Sequence, residues 1–266
     1  MEPRETGGGF VTADQGRDRM MVVAALVALT AVAWLYLVVL ARDMGMGGAM
    51  GMKEAVGAQL MAWTATHFAL MFVMWWVMMV GMMVPSASPM ILMFSTINRR
   101  RREREQPHVP TVVFAGGYLL AWGGFSLIAT AAQWGLEEAA LLSPMMVSTS
   151  PVFGGVLLVA AGIYQWTPLK YACLRYCRSP LGFIMTRWRD GPAGSLRMGL
   201  EHGLFCLGCC WFIMGLLFVG GVMNLLWVAA IAAFVFAEKL FPAGELIART
   251  AGVLMVAAGG SMLIAG

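Results

Sequence analysis

Soft ligand atoms gather in one short stretch of the chain. The run EHGLFCLGCCW holds His202, Cys206, Cys209 and Cys210. At 3.6 residues per turn these four fall within roughly a 100° arc of one helix face. Thiolates and an imidazole on one face suit Cu(I), Zn(II) or an iron–sulfur unit. Glu201 and Glu238 are nearby candidates for hard ligands or for partners that orient the imidazole. A lone buried Cys reads as a small hydrophobe; three with an aligned His read as a ligand set. In KYACLRYC, Cys173 and Cys177 are four apart and share a helix face in a basic loop. Such a dithiol could receive a soft metal or take part in redox exchange.

Methionine supplies the second group of donors. The chain has 24 Met in 266 residues. The segment DMGMGGAMGM places Met44, Met46, Met50 and Met52 among glycines beside Asp43, as a loop with no core to pack. Further on, Met71, Met74, Met78 and Met82 are spaced 3, 4 and 4 apart on the face that also carries His67. Met at helical spacing also fills cores, and that reading stays open. Thioethers ligate Cu(I) and, unlike thiols, do not form disulfides. Thioethers at one end and thiols at the other suggest a graded Cu(I) path, with Cu(I) favoured over Zn(II). Pro85 and Pro89 are expected to break or kink the helix beyond Met83.

The elements that must position these donors are membrane helices. Hydrophobic residues make up 60% of the chain and charged residues 12%, against about 45–50% and 25% in soluble domains. Mean hydropathy is +0.75. Soluble enzymes, small disulfide-framed secreted proteins and disordered tails are excluded. Apolar runs of the length a bilayer needs predict about seven spans, at 20–41, 60–84, 111–134, 152–167, 198–222, 224–241 and 247–265. The fold class is therefore all-α, a polytopic membrane bundle over 20–266 behind a tail at 1–19. The first run is longer than a signal-peptide core and lacks a clear cleavage site, so it reads as a retained helix.

With seven spans, 16 of the 18 Lys and Arg fall on one side; Arg42 and Lys53 lie opposite. The positive-inside rule then puts the N-terminus in the cytoplasm and the C-terminus outside, in a bacterial inner membrane. The Arg99–Arg102 run reads as a topology anchor, not as a nucleic-acid site. All five Cys would lie in the cytoplasm or the inner half of the bilayer, where thiols stay reduced.

Two pairs of segments look alike. His67, Met71, Met74 and Trp76 match His202, Cys206, Cys209 and Trp211 in spacing, and GVLLVAAG at 155–162 matches GVLMVAAG at 252–259 at seven of eight positions. The order suggests that spans two to four repeat, inverted, as spans five to seven, an arrangement common in transporters.

The stretches MWWVMMVGMMVP, QWTPLKYACLRYC, GLFCLGCCWFIM, GVMNLLW and FAEK resemble a bacterial family of predicted metal-binding integral membrane proteins, a domain of unknown function. The resemblance covers roughly residues 62–241 and implies metal binding without a mechanism. Three functions remain open: Cu(I) import, transfer or delivery to a cuproprotein or metallochaperone partner; a membrane thiol oxidoreductase using Cys209/Cys210 and Cys173/Cys177; or an assembly subunit with buried Cys. No phosphate loop, zinc-protease motif or Ser/His/Asp signature is present, so the reading leans away from an enzyme.

Overall fold

The computed structural model describes residues 8–50, 63–143 and 146–265, with backbone alone at 8–15 and 44–50. Among the described residues the chain is helical, without β-strands beyond a single Leu142–Ser148 bridge. In chain order the helices are α1 (Gly8–Met50), α2 (Ala65–Glu103), α3 (Thr111–Glu138), α4 (Pro151–Tyr164), α5 (Pro168–Arg178), α6 (Pro180–Arg187), α7 (Gly191–Gly215), α8 (Leu217–Gly220), α9 (Leu225–Leu240) and α10 (Gly244–Ala265). Local chemistry sets several starts. Ser150, Thr167 and Ser179 each accept a hydrogen bond from a first-turn N–H and are followed by Pro, whose fixed φ and missing donor suit the first helical position. Asn224 caps α9 in the same way.

Five segments are long and apolar enough to cross a bilayer: Gly16–Asp43, Ala65–Glu103, Thr111–Glu138, Gly191–Gly220 and Gly244–Ala265. The count of seven differs at two places. The expected fourth span is α4, 14 residues long, which bends by 66° into α5. The expected sixth is α9, only 16 residues. Cys173 and Cys177 sit on α5, the second helix of this bent pair, and so share a helix face as their spacing predicts.

Side-chain contacts define two ends. Asp18 pairs with Arg99 and Arg102, Arg101 pairs with Asp190 at 2.6 Å, and Arg178 donates to the Phe241 and Pro242 carbonyls. The basic segments therefore meet at one end of the bundle, as their spacing anticipates. At the other end Trp63 donates to Glu137, and Ser148 N–H donates to the Phe218 carbonyl.

In lipid, where apolar surface gives no net drive to helix association, small residues let backbones approach. A Cβ on Gly162 would lie 2.7 Å from the Gly252 carbonyl oxygen, and one on Gly259 would lie 2.6 Å from that of Gly155. The two matching octapeptides thus pack on each other, antiparallel, through their glycines. Helices α3 and α7 are similarly close at Gly117 and Gly199.

Helix α2 runs through both prolines without a break, so of the expected break or kink the break does not occur. Each carbonyl that the missing N–H would leave bare finds another donor. Gly81 O accepts from Trp34 Nε1 of α1, and Pro85 O accepts from Ser88 Oγ. Helix α1 also runs on to Met50, so Met44, Met46 and Met50 lie on helical backbone rather than in a loop. Their side chains, and all of Met52, lie outside the described residues.

Candidate metal centre

The donors of α7 face inward as their spacing requires: His202, Cys206, Cys209 and Cys210 are all buried. All five cysteines are free thiols. Cys209 and Cys210 Sγ both donate to the Cys206 carbonyl at 3.0 Å. From α5, Cys177 lies close enough to Cys206 and Cys209 to interact with both electrostatically. Cys173 Sγ lies where a side chain on Gly208 would be, 2.7 Å from its Cβ position, so that glycine makes room for the thiol. Tyr164, at the end of α4, donates to the Gly208 carbonyl. The break between α4 and α5 is thus what turns the Cys173/Cys177 face onto α7.

Cys206 is the hub. Its Sγ lies 2.8 Å from Lys239 Nζ of α9 and 3.1 Å from Tyr118 OH of α3. Both partners also touch α2: Tyr118 OH donates to the Met83 carbonyl at 3.2 Å, and Lys239 Nζ to Ser86 Oγ at 3.4 Å. Helices α3 and α9 therefore reach this thiol directly, and α2 braces both of their side chains. Lys239 is 6% exposed, and its presence inside the bundle demands anionic or polar partners.

A second buried cation lies beside it. Lys170 of α5, fully buried, pairs with Glu238 of α9 and donates to Gln165 Oε1 at the α4–α5 break. Among the described residues, Lys239 has no carboxylate partner and faces Cys206 and Ser86 instead. His202, one turn before Cys206, has an aromatic cage of Phe114, Tyr118 and Phe183. Among the described residues its Nδ1 and Gln165 Nε2 are buried without a hydrogen-bond partner. Orphaned buried polar atoms of this kind ask for an explanation, and an unfilled ligand position is one.

Among the described residues, no group of three or more His, Cys, Asp or Glu is arranged to hold a metal ion. The α5 and α7 cysteines face each other across the helix pair. The other sequence candidates lie elsewhere. Glu201 binds Arg187, Arg189 and Arg197 at the basic end, and Glu238 faces Lys170. His67, half-buried, stacks edge-on with Trp63 at the opposite end, and Asp43 is exposed.

Met74, Met78 and Met82 are buried in the core with Met79 and Met83, while Met71 is half-buried. Met71 Sδ accepts from Gln133 Nε2, which also donates to Glu137; Gln133 Oε1 accepts from Trp75 Nε1 at 2.7 Å. Sequence reasoning missed Tyr118, Lys170 and Lys239. The two lysines carried a usable signal, being cations within or beside apolar runs.

Helices of membrane-spanning length, bundled around a buried centre of free thiols and cations, define the class: an all-helical protein with a soft-donor core. The chain belongs to the PpoB2 family, described as a copper chaperone, whose model matches residues 72–262. That match includes α5, α7, α9 and nearly all of α2. No curated protein and no solved structure matches the chain.

Proposed function

We propose that the protein is a membrane copper chaperone that takes Cu(I) as cargo at the α5–α7 thiol centre and hands it to a cuproprotein or metallochaperone partner. The observation that carries this reading is the seating of the α5 cysteine face on α7, with Cys173 Sγ against Gly208 and Lys239 Nζ against Cys206 Sγ. Cu(I) is satisfied by two soft sulfurs, whereas structural Zn(II) takes four tetrahedral ligands. Paired thiols without a preformed cage therefore favour Cu(I). Cu(I) held by two thiolates carries one net negative charge, and the Lys239 ammonium balances it where the dielectric is low. Cys173, Cys210 and the orphaned His202 Nδ1 are the next donors within reach for exchange. Cysteines at the break of a helix can change partners when the short α5 arm moves, which suits transfer better than permanent storage.

The methionine face of α2, with Met71, Met74, Met78 and Met82, supplies weaker donors between His67 and the thiols. Tyr118 OH joins the Met83 backbone carbonyl of this helix to Cys206 Sγ. In this reading Met44, Met46, Met50, Met52 and Asp43 gather ions at the His67 end. The basic end lies in the cytoplasm, by the positive-inside rule, with the C-terminus outside a bacterial inner membrane. The packed octapeptides support an inverted repeat of spans two to four and five to seven.

Elemental analysis of detergent-purified protein, prepared copper-replete and reduced, tests the reading. Stoichiometric copper is expected in the wild type, falling to background in Cys206→Ser/Cys209→Ser. Zinc in place of copper, or equal copper in both proteins, overturns it.

A further inference from the structure

Helix α5 has a second face. Tyr171, Leu174, Arg175 and Arg178 follow at i, i+3, i+4 and i+7 and so lie along one side. By the same spacing Cys173 and Cys177 point the other way, toward α7. The Tyr/Arg face lines a cavity of about 710 Å³ whose far wall is the α9–α10 turn and the first turns of α10, with Glu245, Leu246 and Arg249. The walls are fastened to each other. Arg178 donates to the Phe241 and Pro242 carbonyls at 2.9 and 3.0 Å, and Arg249 donates to Tyr171 OH at 3.3 Å while lying over its ring.

Three guanidinium groups face this space and one carboxylate opposes them. Glu245 is 4.0 Å from Arg249, and Arg175 has no hydrogen-bond or ion-pair partner among the described residues. The cavity therefore holds a surplus of two positive charges. Leu174, Pro242, Ala243 and Leu246 give it an apolar floor. It lies at the basic end of the bundle, where helix ends meet the membrane surface. A planar guanidinium fork matches phosphate oxygens in pairs, and basic pockets between membrane helices at this level suit lipid headgroups.

We propose that this cavity binds a phosphate-bearing anion, with Arg175 and Arg249 as its principal ligands and Arg178 holding the wall. The shared chemistry is an oxyanion of phosphorus; its source is either an anionic phospholipid headgroup or a free phosphate. The site is independent of the thiol centre, because the two occupy opposite faces of α5. Its failure would leave the copper reading untouched.

Native mass spectrometry of the full chain in uncharged detergent tests it, with phosphatidylglycerol, phosphatidylcholine and inorganic phosphate offered separately. The wild type is expected to retain phosphatidylglycerol at least several-fold more than phosphatidylcholine, or else to retain inorganic phosphate; the first outcome assigns a headgroup and the second a free ion. Arg175→Gln, which gives up no internal contact, should weaken retention of the phosphate-bearing species. Arg175→Gln/Arg249→Gln should bring it to the phosphatidylcholine level. Bound copper, measured on the same samples, should be unchanged in both variants and shows that they are folded. Equal retention of phosphatidylglycerol and phosphatidylcholine with no phosphate bound, or retention indifferent to both variants, overturns the proposal.

Discussion

The thiol end and the methionine end of the bundle use soft donors in different ways. Around Cys206 the donors are woven into a charged network drawn from α3, α5, α7 and α9, with two buried lysines and one buried glutamate. Along α2 the thioethers of Met74, Met78 and Met82 pack in an uncharged core. Of the α2 donors in the candidate set, Met71 alone receives a hydrogen bond to sulfur, from Gln133 in the neutral part of a network that ends on Glu137. Fixed charge accompanies the thiols, which become anionic on binding metal, whereas the thioethers stay neutral. In the proposed reading, the polar network separates a place where an ion is held from a surface along which it passes.

Breaking the charged network should have the largest effect. Glu238→Gln leaves Lys170 buried without its anion, a loss on the order of 3–5 kcal/mol, read as a fall in the thermal midpoint in detergent. A drop no larger than that of a core methionine variant would mean that the charges matter no more than packing. Lys239→Met removes the cation from Cys206 while conserving volume. Losing a hydrogen bond to a charged group costs about 1.5–3 kcal/mol, so copper retention against a competing chelator should weaken ten- to a hundred-fold. Unchanged retention would remove Lys239 from the site.

At the opposite end, Gln133→Leu strands the Trp75 indole N–H and should cost about 1–3 kcal/mol while leaving thiol-bound copper intact. Loss of copper in that variant would make the two ends one site. The smallest effect belongs to Met78→Leu/Met82→Leu, under about 1.5 kcal/mol per change. Bound copper at equilibrium should stay the same, with loading from the His67 end slowed in a reconstituted vesicle assay. Equal loading rates would assign these methionines to packing alone.

The sequence made one half of this comparison more legible than the other. Periodicity alone places His202, Cys206, Cys209 and Cys210 on one inward face and pairs Cys173 with Cys177, because helix spacing is a local rule. Partners that meet across helices obey no such rule: Tyr118 lies 88 residues from Cys206, and Lys239 lies 33 away. Lys239 read as a topology charge near a span end; its apolar neighbours in FAEKLF were the clue to burial. The end of the fourth span was written in QWTPLK, where Thr167 and Pro168 form a new helix start at the edge of the expected run. The continuity of α2 through Pro85 was not legible, since it depends on Trp34 from another helix supplying a hydrogen bond to Gly81. The close approach of the two octapeptides was half legible: their likeness was visible, their mutual packing was not.

X-ray absorption at the copper edge, on full-length protein loaded with copper under reducing conditions, tests the central claim most directly. The account predicts Cu(I) in an all-sulfur, low-coordinate environment that disappears in Cys206→Ser/Cys209→Ser and survives in Met78→Leu/Met82→Leu. Copper bound mainly through nitrogen or oxygen, or sulfur-bound copper that survives loss of both cysteines, would contradict it.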